Sequence, residues 1–133
     1  MRQTEFATRM SSKKITVLIA DDHRLFAEAL EAMLASEPEI EVVGHAQNGE
    51  EAVEQALSLR PDVILMDIAM PGVDGVEATR RIRKMQRRAC VLMLTGSNAR
   101  SDVARAREAG ASAYVTKDRI AAQLIEAIRE LAA

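Results

Sequence analysis

The sequence predicts a doubly wound α/β sandwich, and three observations predict it. Three short segments, Ile15 to Ala20, Val63 to Met66 and Cys90 to Leu94, are apolar at successive rather than alternate positions, the pattern of parallel strands covered on both faces. The stretches between strands repeat apolar residues at helical spacing. Strand and helix alternate five times with short connections, which makes the strands parallel and the crossovers right-handed.

The elements follow in order. The first strand, ITVLIA, leads into a helix marked by Leu25, Ala29, Leu30, Met33 and Leu34. A weaker strand, Ile40 to Ala46, precedes a helix carrying Ala52, Val53, Ala56 and Leu57, with Asn48 placed three residues before Glu51 as an N-terminal cap. Val63 to Met66 leads to a helix with Val76, Thr79, Ile82 and Met85, opened in the same way by Asp74 and Glu77. After Cys90 to Leu94 comes a helix with Val103, Ala106 and Ala109 that Gly110 should end. A second weak strand, Ala113 to Val115, precedes the last helix, with Ile120, Leu124, Ile125 and Ile128. The weak strands belong at the edges, giving strand order 2-1-3-4-5. Residues 1 to 12 read as a flexible leader and residues 13 to 133 as one domain.

Composition narrows the function without naming it. A net charge of −2 over 133 residues gives no protein-wide field for nucleic acid or anionic lipid. The single cysteine, Cys90, excludes an internal disulfide, and no apolar stretch approaches the ~20 residues that span a bilayer. The N-terminus lacks the apolar stretch of a secretory signal. A cytoplasmic protein with no membrane contact is the expectation.

The chemistry gathers at strand ends. Asp21 and Asp22 follow the first strand, Asp67 the third, Thr95 the fourth and Lys117 the fifth. In the order above these strands are neighbours, so all five side chains meet at one carboxyl edge, around the switch point where open α/β sheets bind ligands. Three ionised carboxylates at close range need a counter-charge, and a small set of oxygen ligands suits Mg²⁺. Beside such an ion, with the Lys117 ammonium and Thr95 hydroxyl aimed at the same spot, Asp67 can attack a phosphoryl group and form an aspartyl phosphate.

At these residues the chain strongly resembles the receiver domain of two-component response regulators, with its flavodoxin-like topology. The matching stretches are VLIADDHRLF (17 to 26), PDVILMDIAMPGVDGVEATRRIR (61 to 83), VLMLTGS (91 to 97) and EAGASAYVTKD (108 to 118). DDHRLF looks closest to the subgroup whose members continue into a helix-turn-helix DNA-binding domain. The resemblance implies that Asp67 takes phosphate from a phosphohistidine on a sensor histidine kinase or phosphotransfer protein. It also implies Asp22, Asp67 and the backbone carbonyl of Ala69 on Mg²⁺, with Asp21 acting largely through water. It implies a switch in which Thr95 moves toward the phosphoryl group and Tyr114 turns inward, reshaping the surface of the fourth helix, fifth strand and fifth helix. The expected role is signalling rather than enzymatic turnover, with a phosphorylation-dependent homodimer or an output partner as the readout. The chain shows no DNA-binding motif of its own, so the expected effector domain is absent from it.

Two positions depart from the pattern. The proline usual after the lysine is replaced by Asp118, which leaves the Lys117–Asp118 bond open between cis and trans, the ~3–4 kcal/mol cost of a non-proline cis bond weighing toward trans, and leaves the exact placement of Lys117 open with it; Asp118 reads equally as a cap of the last helix. Ala69 is too small to shield a phosphoryl group.

Blander readings compete. An aspartate pair can be a solvated turn, Asp67 with Pro71 and Gly72 can be turn chemistry, and Tyr114 can be edge packing. His23 and His45 lack a second nitrogen or sulfur donor at ligand spacing and read as surface or capping residues. Met66, Met70 and Met93 read as core filler, Cys90 as an inert buried thiol in a strand, and the run from Arg80 to Arg88 as a complement to a helix dipole. A flavin carrier of the same topology would need a phosphate cradle after the first strand, where ADDHRL offers carboxylates. Aspartate-dependent phosphatases place two acids two residues apart after their first strand, whereas here Asp21 and Asp22 are adjacent.

Overall fold

Successive side chains of a strand point to opposite faces, so a strand that is apolar throughout must be covered twice, and this sheet is. The computed structural model describes residues 13–96 and 100–133; the predicted leader lies outside them. In chain order the elements are β1 (Ile15–Ala20), α1 (Arg24–Ala35), β2 (Ile40–Ala46), α2 (Gly49–Leu59), β3 (Val63–Asp67), α3 (Gly75–Met85), β4 (Val91–Thr95), α4 (Arg100–Ala109), β5 (Ala113–Thr116) and α5 (Ile120–Ala132). All strand pairs are parallel and the order is 2-1-3-4-5, as expected.

The two faces have separate cores. Val17, Ile19, Val63, Leu65, Leu92 and Leu94 pack under α1 and α5 through Leu30, Leu34, Leu124 and Ile128. The alternate residues Leu18, Ala20, Ile64, Met66, Val91 and Met93 pack under α2, α3 and α4 through Ala52, Ala56, Val76, Ile82 and Ala106. A reciprocal pair fixes the foot of the sheet: Asp62 Oδ2 accepts from Thr16 N–H at 2.8 Å, while Asp62 N–H donates to Thr16 Oγ1 at 2.9 Å.

The helix ends follow their local chemistry. Asn48 and Asp74 each accept the N–H three residues on, Glu51 and Glu77, at 2.9 Å. Gly110, at φ +102°, closes α4 with Gly110 N–H donating to Arg107 O and Ala111 N–H to Ala106 O, both at 3.0 Å, a Schellman ending that needs the left-handed backbone glycine tolerates. Met66, Met70 and Met93 are buried, as core filler should be.

Some expectations shift. The buried stripe of α1 is Ala27, Leu30 and Leu34, while Leu25, 82% exposed, and Ala29, four residues on, share the face turned to solvent. Met85 is also exposed, at the last turn of α3. Asp67 and Thr95 are the final residues of their strands rather than the first beyond them, while Cys90 lies just before β4, half-buried, with Sγ 3.7 Å from Leu131 O. Asp118 caps nothing; it sits in a 3₁₀ turn, Lys117–Arg119, and Arg119 occupies the cap position of α5 without a side-chain bond.

Gly75 holds α3 tightly against the end of β3. A Cβ built there would lie 2.1 Å from the carbonyl oxygen of Asp67. Glycine to alanine inside a helix ordinarily stabilises by ~1 kcal/mol, but here the clash is with backbone and reverses the sign. Gly75→Ala is expected to destabilise by about 1–3 kcal/mol, read as a lower midpoint in urea unfolding; a higher midpoint would show that β3 and α3 can separate freely.

Candidate functional site

The strand register brings the acids together. Ala20 pairs with Met66, so Asp21 stands level with Asp67 on the neighbouring strand. Asp21 is fully buried and Asp67 nearly so, while Asp22 reaches solvent. Lys117 enters from the turn after β5, its Nζ 3.8 Å from Asp21 Oδ2 and 3.6 Å from Asp67 Oδ1. The Lys117–Asp118 bond is trans, and the lysine reaches the carboxylates without the proline usual beside it.

Thr95 is buried at the end of β4, whose Leu94 pairs with Asp67, and is itself paired with Thr116 of β5. Ala69 lies two residues beyond Asp67, and its N–H donates to Asp67 Oδ1 at 3.3 Å. Tyr114 stands apart from the cluster, in β5 opposite Met93, with its side chain 43% exposed. Asp21, Asp22, Asp67 and Lys117 therefore converge, Thr95 and Ala69 lie at the same edge, and Tyr114 lies behind it. Next to the acids, between Asp22 and the chain from Ile68 to Pro71, opens a cavity of about 480 Å³.

The charges do not balance. Three carboxylates face one ammonium, and burial with the neighbouring Asp21 charge pushes the Asp67 carboxyl above its ordinary range despite the pull of Lys117 and the Ala69 N–H. Asp21 Oδ2 and Asp67 Oδ2 are buried without a hydrogen-bond partner. Unpartnered buried carboxylate oxygens beside excess negative charge fit a bound cation, and hard oxygen donors fit Mg²⁺.

Two neighbours were not legible as parts of the site. Phe26, one turn into α1, lies under Lys117, with Nζ 4.4 Å from the ring centroid, and helps hold the ammonium in place. His23 occupies the cap position of α1 without capping it; its Nδ1 instead lies 3.4 Å from Asp21 Oδ1 and 3.3 Å from Asp22 Oδ1. The only sequence signal for either was its place in DDHRLF. His45 lies further off, with Nε2 3.2 Å from Asp21 O.

The chain is similar to known proteins in sequence and in fold. Residues 17–129 match the response regulator receiver domain family. The transcriptional regulatory protein DegU of Brevibacillus brevis is 44% identical over 93% of this chain and 52% of its own length. LiaR of Bacillus subtilis, also a transcriptional regulatory protein, is 43% identical over 86% of this chain and 54% of its own. The chain thus spans about half the length of these relatives. Among solved structures, the receiver domain of the putative response regulator NarL from Mycobacterium tuberculosis superposes with a TM-score of 0.86 at 31% identity, covering 90% of this chain and 97% of that one. The response regulator domain of Thermotoga maritima CheB gives 0.84 at 35%, covering 90% and 96%.

A carboxyl raised by folding costs stability wherever it is ionised, and that cost disappears once the pH falls below the unfolded carboxylate value of ~4. Without divalent ions, Asp67→Asn is therefore expected to melt above wild type at pH 7, with the gap narrowing as the pH falls toward ~4. A variant melting below wild type at pH 7 would mean that the Lys117 attraction outweighs burial and repulsion.

Proposed function

From the premise that this chain belongs to the response regulator receiver domain family, we propose that Asp67 is its phosphoacceptor, charged by a phosphohistidine of a sensor histidine kinase or phosphotransfer protein. The observation that carries the reading is the buried Asp67 carboxylate, pressed by Asp21 and held 3.6 Å from the Lys117 ammonium. A carboxylate oxygen of Asp67 attacks phosphorus, the nitrogen–phosphorus bond of the donor breaks, and the departing imidazole nitrogen takes a proton. Asp22, Asp67 and the Ala69 carbonyl would hold Mg²⁺, with Asp21 acting largely through water; when bound, the ion neutralises charge on the transferring oxygens. Lys117 offsets the charge of the phosphorylated side chain, and Phe26 beneath it limits where the ammonium can go. Thr95 donates a hydrogen bond to a phosphoryl oxygen. The domain takes part in its own phosphorylation and dephosphorylation and turns over no other substrate.

The readout is a surface. A new dianion favours whichever conformation brings Thr95 to it. Between α4 and the start of β5 lies a cavity of about 270 Å³ lined by Val103, Ala106 and Tyr114 itself, space into which the exposed ring can turn. The surface so changed, α4, β5 and α5, would serve a phosphorylation-dependent homodimer or an effector domain. Because the relatives are named transcriptional regulators and are about twice as long, control of transcription through an effector domain is the output this reading assigns. DNA contact belongs to that domain, not to residues 13–133. Among the described residues no helix is long and apolar enough to cross a membrane.

Incubation with Mg²⁺ and a small-molecule phosphodonor, followed by intact-mass measurement, tests the reading. Wild type should gain one phosphoryl group and Asp67→Asn none, and Lys117→Ala should be slower by about 10²-fold, the scale of losing one charge-stabilising donor. Equal labelling of Asp67→Asn, or an unlabelled wild type, would overturn it.

A further inference from the structure

His23 changes what kind of cation the acidic site selects. One donor atom each from Asp21, Asp22, His23 and Asp67 lies within 4.8 Å of those of the other three. An octahedral ion with metal–oxygen distances of about 2.1 Å places neighbouring donors about 3 Å apart and opposite donors about 4.2 Å apart. The His23 Nδ1 separation of 3.3 Å from Asp22 Oδ1 is close to that of neighbouring donors, and Asp21 Oδ1, which would act through water, lies 3.4 Å from the same nitrogen. The imidazole is not otherwise engaged: it is the backbone N–H of His23, not the ring, that donates to Asp21 Oδ1, at 2.7 Å, and the side chain is 68% exposed. The two buried oxygens without a hydrogen bond, on Asp21 and Asp67, mark where the cation's charge is needed, Lys117 standing no nearer than 3.8 Å to the one on Asp21.

We propose that His23 Nδ1 is a ligand of the divalent ion in this site, so that the chain prefers imidazole-binding first-row ions such as Mn²⁺ and Co²⁺ over Mg²⁺. Carboxylate and carbonyl oxygens suit Mg²⁺ and Mn²⁺ alike, whereas an imidazole adds affinity mainly for the transition ions and progressively more toward cobalt and nickel. His23 is thus a specificity-determining residue for the ion, and the inference rests on the reading of the acids as a cation site.

The test uses the tag-free chain, so that no other imidazole cluster competes. Calorimetric titration of wild type and His23→Ala with Mg²⁺, Mn²⁺ and Co²⁺ should show Co²⁺ affinity falling about tenfold or more in the variant, with Mn²⁺ falling less and Mg²⁺ changing less than about twofold. Pulsed electron paramagnetic resonance of the Mn²⁺-loaded wild type should show coupling to a directly bound ¹⁴N that disappears in His23→Ala. Exposure of the side chain makes loss of folding an unsuitable explanation, which equal melting temperatures of the ion-free proteins would verify. Mn²⁺ bound without ¹⁴N coupling, or coupling that survives in His23→Ala, would overturn the role of His23 and leave the acidic site standing. Failure of wild type to bind any of the three ions, or binding undiminished in Asp22→Asn, would instead overturn the cation site itself.

Discussion

Crowding of like charge at one edge of the sheet is the constraint on which the rest of this structure turns. Parallel pairing of β1 with β3 sets Asp21 beside Asp67, and the two cores that bury the strands remove both carboxyls from bulk water. Repulsion between buried acids is strong because little solvent screens it. One ammonium, steadied on Phe26, relieves part of it. What remains is an excess of buried negative charge, which on the reading proposed above a bound cation would relieve.

The surroundings are built to keep that edge from relaxing. Gly75 admits no side chain against the Asp67 carbonyl, so the loop after β3 folds back at van der Waals distance and α3 begins there. Asp74 caps α3 and also pairs with Arg105 of α4, with Nη2 3.4 Å from Oδ2, joining two helices on the same face. At the far end Arg129 of α5 binds Glu37 and Glu39 in the connection between α1 and β2, and holds the Glu39 carboxyl below its usual range. Those acidic contacts are solvated and individually weak; their effect is to define where helices end. The buried acids, by contrast, cannot move apart without opening the sheet.

Against this rigid frame α4 is loosely attached. Only Ala106 and Ala109 of it are buried, small residues that leave a cavity toward β5. A helix held by so little apolar surface is drawn from the less stable part of the fold, as elements that move in a switch must be. Tyr114 stands at the border between the frame and this helix. The distribution of packing thus separates a tightly packed part, which carries the acidic cluster, from a sparsely packed one around α4.

The amino-acid sequence by itself determined the five strands and their parallel order, because uninterrupted apolar runs, caps at Asn48 and Asp74 and the glycine at 110 act over a few residues and leave local traces. It also placed Asp21, Asp22, Asp67, Thr95 and Lys117 at one edge, since topology alone brings strand ends together. It misjudged Leu25, Ala29 and Met85, whose spacing is helical but which lie on a solvent-facing side or at the exposed end of their helices. Only the tertiary structure decided that Phe26 lies under Lys117 and that the His23 ring faces two carboxylates. Spacing along the chain fixes which face of a helix a residue occupies, but not which side chain of a distant strand lies across from it. That depends on how far each helix slides along the sheet, a quantity set by the packing of both cores at once.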